Sequence, residues 1–187
     1  MTKPLFDSLM VDLETLSTQP NAVITAIAAV PFNSTSWKYS KKEAFYKIID
    51  IQSCLDAGLE VEGSTIYWWL QQSKTARQAL FGTKDNPKIS LSHALFLFTK
   101  YIEDNLTSPT YIWGNGASFD LSILANAYNK LNKEIPWNYR NERDVRTLVH
   151  IKPEIKKSTA KYGTMHIAVD DCINQIKYCK NIWRSLC

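Results

Sequence analysis

Three stretches rich in apolar residues open the chain, and polar residues separate them. Residues 8–14 form a short apolar run of the kind found in buried strands. Residues 21–32 are rich in Val, Ile and Ala, and residues 42–50 alternate apolar and polar positions. Because the connections between these stretches are short, we predict an antiparallel meander of three strands at the start of the fold.

Helical spacing of apolar positions dominates the rest of the chain. It predicts helices over residues 64–81, 90–105, 118–131, 144–150 and 166–183. Ser118 is the expected N-cap of the third helix, and Ser108 and Pro109 are expected to end the second. One strand is predicted over residues 110–113, and the lysine-rich residues 152–163 are predicted to form a mobile loop. The pattern indicates a single α/β domain over residues 1–187, a mixed β-sheet flanked by α-helices.

Composition excludes several classes of protein. No run of about 18 apolar residues occurs, so no membrane-spanning helix is expected. Residues 1–7 lack the long apolar stretch of a secretory signal, which predicts a cytoplasmic location. None of the 4 cysteines lies in a Cys-x-x-Cys pair or at zinc-finger spacing from a histidine, so neither a disulfide framework nor a zinc site is predicted. The net charge of +4 is compatible with a polyanionic partner but does not require one.

Two acidic residues interrupt the first apolar run. Asp12 and Glu14 lie two residues apart, so in a strand both carboxylates face the same side of an apolar segment. Buried like charges are costly unless a cation neutralises them, and carboxylate oxygens suit Mg²⁺ or Mn²⁺. Taken alone, the pair is explained better by a solvated Glu14 that ends the strand than by a metal site.

Two further groups of polar residues lie later in the chain. Asp120 follows a glycine-rich turn and is expected in the first turn of a helix, where the helix dipole by itself favours an acidic residue. On a helix a spacing of five residues separates side chains by a wide angle, so His166 must lie on the preceding loop if it shares a site with Asp171. Helix phase does not distinguish Asp171 from its neighbour Asp170.

In chain order, these residues resemble the motifs of a known family. The motifs are Asp12-x-Glu14-Thr15, then Asn115 through Asp120, then His166-x-Ala168-x-x-Asp171. Their order and spacing resemble the DEDDh (DnaQ-like) exonucleases, the family of the bacterial polymerase proofreading subunit. Residues 66–73 and the Asp144-Val145-Arg146-Thr147-Leu148 segment look like a narrower branch, which contains a phage exonuclease A and a mycobacterial exoribonuclease. The resemblance implies an RNase H-like fold and 3′→5′ exonuclease activity.

The resemblance also implies a role for each of these residues. Two Mg²⁺ or Mn²⁺ ions would be bound by four carboxylates, those of Asp12, Glu14, Asp120 and Asp171. His166 would act as the general base. The contacts to substrate would come from Thr15 and Leu16 at the terminal nucleotide, from Asn115, and from Trp68 as a stacking platform. Trp69 is expected in the core.

The expected substrate is the 3′ end of single-stranded DNA or RNA, or a 3′ overhang, with nucleoside 5′-monophosphates as products. The motifs do not distinguish DNA from RNA, because that choice depends on contacts to the 2′-hydroxyl. Arg77, Arg143 and Arg146 are candidates for phosphate contacts, although surface or helix-pairing roles are at least as common for such residues. Two alternatives stay open: a nucleic-acid-binding module with an inactive metal site, and a small-nucleotide phosphodiesterase. Related proteins also suggest a homodimer.

Overall fold

The computed structural model describes residues 6–84, 86–164 and 166–186, and a five-stranded mixed sheet lies at its centre. The strands are β1 (Phe6–Thr15), β2 (Ile24–Phe32), β3 (Phe45–Ile48), β4 (Leu106–Gly114) and β5 (Glu142–Asp144). They lie in the order β3-β2-β1-β4-β5. β2 is antiparallel to β1 and β3, whereas β4 is parallel to β1 and β5. The predicted mixed sheet, an antiparallel meander followed by parallel strands, is confirmed.

Helices flank this sheet. In chain order they are α1 (Ile51–Asp56), α2 (Gly63–Leu70), α3 (Lys74–Ala79), α4 (Leu91–Asn105), α5 (Asp120–Lys130), α6 (Val145–Ile151), α7 (Pro153–Ser158) and α8 (Ala168–Arg184), and a 3-10 turn at Tyr139–Asn141 precedes β5. Within the described residues, no helix is long and apolar enough to cross a membrane.

Alternate residues of β1 point to two hydrophobic clusters, one on each face of the sheet. Val11 and Leu13 pack with α4 and α5 on the first face. Met10 packs with α6 and α8 on the second face. Asp12 and Glu14 follow Met10 at a spacing of two, so the pleat of the strand directs them to the α8 side. The alternation that buries β1 therefore also aligns the acidic pair.

The predicted helix over residues 64–81 is wrong, since the structure contains two shorter helices there. α2 ends at Leu70, and α3 begins after Ser73, whose hydroxyl accepts a hydrogen bond from the Ala76 amide at 3.2 Å. That bond satisfies an amide that otherwise has no partner at the start of α3. The apolar spacing was compatible with one continuous helix, but it carried no information about this internal cap.

Four other boundaries differ from the predictions. α5 begins at Asp120 after Phe119, so Ser118 is not its N-cap. Ser108 and Pro109 do not end a helix, because α4 stops at Asn105 and the cis Ser108–Pro109 bond lies inside the longer strand β4. Within residues 152–163, expected as a loop, α7 forms with Pro153 in its first turn. The last helix begins at Ala168 rather than at His166.

The three described cysteines, Cys54, Cys172 and Cys179, are free and buried. Cys187 and residues 1–5, on which the expectation about the N-terminal segment rests, lie outside the described residues.

Candidate active site

The candidate residues meet at the carboxyl edge of the three parallel strands. Val11 of β1, Gly114 of β4 and Asp144 of β5 are aligned across the sheet. Asp12 and Asn115 each follow one of these positions, just beyond the last pair of residues between β1 and β4. Loops and helix starts at such an edge leave a crevice in which ligands bind in open α/β sheets. The cleft found here has a volume of about 500 Å³.

Three carboxylates form a tight cluster in this cleft. Asp12, Glu14 and Asp171 each offer an oxygen atom, and these atoms lie within 4.8 Å of one another. Burial and the charges of Asp171 and Asp120 raise the pKa of Glu14 to about 8. Burial and the charges of its acidic neighbours also raise the pKa of Asp12 well above its usual range. The cluster therefore opposes its own ionisation in the absence of a cation.

The donor set fits a divalent cation. Glu14 is 8% exposed, and its Oε1 is buried without a hydrogen-bond partner among the described residues. An unpaired buried carboxylate oxygen is costly, and a metal ion is one of the few partners that satisfies it. All the donors in the cluster are carboxylate oxygens, the type of ligand that suits Mg²⁺ and Mn²⁺.

Asp120 faces the same cleft but lies outside the tight cluster of three. Its Oδ1 accepts a hydrogen bond from the Leu13 amide at 3.2 Å, and its Oδ2 accepts one from the Asn115 amide at 3.0 Å. Burial raises the pKa of Asp120 to about 7, although both amides and the charge of Arg146 act in the opposite direction. The Asp120 carboxylate thus links the ends of β1 and β4.

The structure separates Asp171 from Asp170. Asp171 turns toward Asp12 and Glu14, whereas Asp170 turns away and forms an ion pair with Lys41 at 3.1 Å. Asp170 also accepts a hydrogen bond from the Thr164 amide at 3.1 Å. The Asp170 carboxylate fills the space beside Gly163, where φ is +63° and an added methyl group would overlap it. Asp170 therefore anchors the loop before α8, and Asp171 belongs to the cleft.

His166 lies on this loop, as expected for a residue that shares a site with Asp171. Its φ is +62°, an uncommon value for a residue other than glycine. Its backbone amide donates to Asp171 Oδ2 at 2.9 Å. The imidazole packs edge-on against Trp68, with ring centroids 5.1 Å apart, and lines the cleft. The conformation of the loop and the indole of Trp68 together hold the imidazole at the cleft.

The two adjacent tryptophans have different environments. Trp69 is buried, and its Nε1 donates to the Thr15 carbonyl at 2.8 Å, which agrees with its expected place in the core. Trp68 is 42% exposed and lines both the main cleft and an adjoining cavity of about 430 Å³. The exposed indole is thus available to a ligand.

Of the three remaining residues that were predicted to contact substrate, two line a cavity and one does not. Asn115 lines the main cleft and Thr15 lines the adjoining cavity, but the Thr15 hydroxyl donates to the Ser17 carbonyl at 2.8 Å. Leu16 lines neither cavity and packs instead beside Trp69. The structure therefore brings Asn115 and Thr15 to the site and leaves Leu16 at its margin.

Several residues of the cleft were not predicted individually from the sequence. Gln175 of α8 is buried, and its Nε2 donates to Asp12 Oδ1 at 2.8 Å. Lys156 and Lys161, from the segment expected to be a loop, also line the cleft, as does Tyr178. The spacing of four residues from Asp171 to Gln175 was the available signal, because it places both side chains on one face of a helix.

The chain belongs to the 3′-5′ exoribonuclease Rv2179c-like domain family, whose model matches residues 7–183. It is therefore a nuclease, and its substrate is nucleic acid. No curated protein matches the chain in sequence.

Solved structures of DEDDh-family and other 3′ exonucleases share the fold. The nuclease domain of 3′hExo, a DEDDh family member bound to rAMP, is 13% identical with a TM-score of 0.65, over 98% of this chain and 94% of that chain. E. coli Exonuclease I in complex with a dA16 oligonucleotide is 14% identical with a TM-score of 0.62, over 96% of this chain and 42% of that chain. Exonuclease X in complex with 5′ overhanging duplex DNA is 15% identical with a TM-score of 0.56, over 95% and 92% of the two chains.

Proposed function

We propose that the protein is a 3′→5′ exonuclease that releases nucleoside 5′-monophosphates from single-stranded nucleic acid or from 3′ overhangs. The observation that carries the proposal is the cluster of Asp12, Glu14 and Asp171, with oxygen atoms within 4.8 Å of one another in an open cleft. Such a cluster has no evident structural purpose, because its mutual repulsion destabilises the folded chain.

In this proposal the carboxylates hold two Mg²⁺ or Mn²⁺ ions. Asp12, Glu14 and Asp171 are the principal ligands, and Asp120 supports the second ion while its oxygens keep their bonds to the Leu13 and Asn115 amides. When bound, such a pair of ions stabilises the negative charge that builds on the attacking and leaving oxygens during phosphodiester hydrolysis.

His166 is proposed as the general base. It lines the cleft, and its amide is tied to the Asp171 carboxylate, so its ring stands beside the proposed metal ligands. Imidazole groups in general titrate near neutral pH, which suits them to accept a proton from an attacking water molecule. Transfer of that proton to a positioned base typically contributes about 10²–10⁴-fold in rate.

The terminal nucleotide is proposed to lie between the main cleft and the adjoining cavity. Trp68 borders both and would stack on a base, while Asn115 and Thr15 line one space each. Leu16 stays a predicted contact that would require the segment after β1 to shift.

RNA is the first substrate to test, because the matching family is described as exoribonuclease-like, and DNA is the second. The homodimer, the cytoplasmic location and the single domain over residues 1–187 stay predictions.

The test is a digestion assay. 3′-Labelled single strands and 3′-overhang duplexes, in both RNA and DNA, are incubated with Mg²⁺, Mn²⁺ or EDTA, and the products are separated by chromatography. We expect release of 5′-monophosphates in either metal and none in EDTA. Asp12→Asn should be inactive, whereas the matched control Asp104→Asn, at an exposed position on α4, should retain wild-type activity.

The same assay separates the two alternatives. A nucleic-acid-binding module would retain labelled strands on a filter without cutting them in either metal. A small-nucleotide phosphodiesterase would hydrolyse dinucleotides and leave long strands intact. Either result would replace the exonuclease proposal.

A further inference from the structure

The structure distinguishes the three arginines that the sequence offered for phosphate contacts. Arg77 donates to the Leu70 carbonyl at 3.2 Å. Arg143 donates to the Glu142 carbonyl at 2.8 Å, and its guanidinium stacks over a tyrosine ring. Neither of these two lines the cleft, whereas Arg146 does. Among the described residues, the Arg146 guanidinium has no hydrogen bond or ion pair.

The main chain beneath Arg146 is shaped to receive its side chain. Gly116 has a φ of +103°, and a methyl group added there would lie 3.0 Å from Arg146 Cζ. Asp144 Oδ1 accepts hydrogen bonds from the amides of Gly116 at 3.1 Å, Ala117 at 3.3 Å and Arg146 at 3.1 Å. One carboxylate thus fixes both the glycine turn and the first turn of α6. The guanidinium therefore packs directly against the main chain at Gly116, and this contact keeps it at the cleft.

The positive charge of Arg146 stabilises the ionised form of the Asp120 carboxylate in the cleft. Arg146 and Asp120 line the same cleft, and the guanidinium charge offsets part of the rise in the pKa of Asp120 that burial causes, although the two side chains form no ion pair. A nucleic-acid strand brings negative phosphate into a site that already contains four acidic side chains, so a nearby unpaired cation offsets part of the repulsion. Guanidinium is planar and presents paired N–H groups that match two phosphate oxygens at once.

We propose that Arg146 binds the phosphate of the 3′-terminal nucleotide, the group at which hydrolysis occurs, through the non-bridging oxygens of that phosphate. The inference rests on the proposed function for the identity of the substrate. In this proposal the two residues have separate roles. Asp144 fixes the conformation of the turn at Gly116, and Arg146 packs on that turn and binds the phosphate.

The test compares binding of adenosine 5′-monophosphate and adenosine, measured by ligand-observed NMR titration in the presence of Mg²⁺. Adenosine 5′-monophosphate carries the relevant phosphate, and adenosine lacks it. Because a hydrogen bond to a charged group contributes about 1.5–3 kcal/mol, Arg146→Gln should weaken binding of the monophosphate by about 10- to 100-fold. Adenosine should bind the variant as it binds the wild type.

Two further variants control the measurement. Arg146→Lys keeps the charge but loses the planar fork, so its affinity for the monophosphate should be intermediate. Arg143→Gln makes the same change three residues earlier, outside the cleft, and should bind the monophosphate like the wild type. If Arg146→Gln binds the monophosphate like the wild type, or loses monophosphate and adenosine equally, the inference is overturned.

Digestion by the wild type distinguishes this inference from the proposed function. If the wild type degrades strands while Arg146→Gln keeps its monophosphate affinity, only the arginine assignment fails. If no strand is degraded and Arg146→Gln nevertheless loses the preference for monophosphate over adenosine, the phosphate site stands and the exonuclease proposal fails.

Discussion

Replacing Glu14 with Gln should make the metal-free protein more stable at alkaline pH. Burial is the first cause that raises the pKa of this carboxyl from 4.5 to about 8. The folded chain therefore holds a proton that the unfolded chain releases above pH 4.5, so the wild type loses stability as the pH rises from about 4.5 to about 8. Glutamine has nearly the same shape and no ionisation to suppress.

The size of the effect follows from the same shift. At about 1.36 kcal/mol for each interval of one pH unit, the loss accumulated by pH 8 is roughly 4 kcal/mol. At pH 5 it is less than about 1 kcal/mol, because the unfolded carboxyl is then only partly ionised. For a chain of this length, a change of about 4 kcal/mol raises the melting temperature by roughly 10 °C.

The assay is thermal unfolding in EDTA at pH 5 and pH 8, repeated with added Mg²⁺. Glu14→Gln should melt higher than the wild type at pH 8 and close to it at pH 5. Mg²⁺ should stabilise the wild type by binding only the folded state, and it should stabilise the variant much less. Glu103→Gln is the matched control, because Glu103 is exposed and paired with Lys100, a surface pair that contributes at most about 1 kcal/mol.

The reasoning would be refuted by an equal gain in stability at both pH values, or by no gain at pH 8 in EDTA. Either result would mean that ionisation of Glu14 does not oppose folding. A variant that gains stability at pH 8 and still hydrolyses strands at the wild-type rate would confirm the electrostatic cost but remove Glu14 from the proposed ligands.

Three other substitutions test separate parts of the site. His166→Ala should lower kcat by about 10²–10⁴-fold and leave the affinity for Mg²⁺ unchanged. The control His93→Ala, on the exposed face of α4, should change neither kcat nor the affinity for Mg²⁺. Full activity of His166→Ala would exclude the general-base role. Trp68→Ala should raise Kd for a single strand by about 5- to 100-fold, since one stacked base contributes about 1–3 kcal/mol, and an unchanged Kd would remove the stacking platform. Tyr67→Ala, next to it on α2 and outside both cavities, should bind the strand normally. Gln175→Leu should weaken Mn²⁺ binding, measured by calorimetry, by about 10- to 100-fold because Asp12 loses its orienting hydrogen bond. If Gln175→Leu binds Mn²⁺ with wild-type affinity, that hydrogen bond does not position the ligand.

Local patterns were sufficient for much of the fold. The apolar runs predicted the three antiparallel strands, and the amphipathic spacing of residues 90–105 predicted α4 almost to its ends. The pleat placed Asp12 and Glu14 on one side of β1, because a period of two is fixed by strand geometry alone. The apolar pattern failed at residues 64–81, where the hydrogen bond that begins α3 depends on the conformation of Ser73 rather than on apolar spacing.

Helix phase could not choose between Asp170 and Asp171, and in the sequence only the family resemblance pointed to Asp171. Adjacent residues on a helix differ by about 100° in direction, and both positions border the apolar face of α8 at similar angles. The rotation of α8 about its own axis determines which carboxylate lies near Asp12 and which forms the ion pair with Lys41. That rotation is set by packing of buried residues such as Ile173 and Ile176 against β1 and β2, which lie far away in sequence.

The sequence by itself determined the first three strands, the amphipathic helix α4, the acidic pair on β1 and the motif set that indicated the family, because each depends on short spacings along the chain. Only the tertiary structure brought Asp171 to that pair, directed Gln175 to Asp12 and placed Arg146 over Gly116. These contacts join residues from separate strands and helices. Their distances therefore depend on how the elements pack, and no local periodicity encodes that packing.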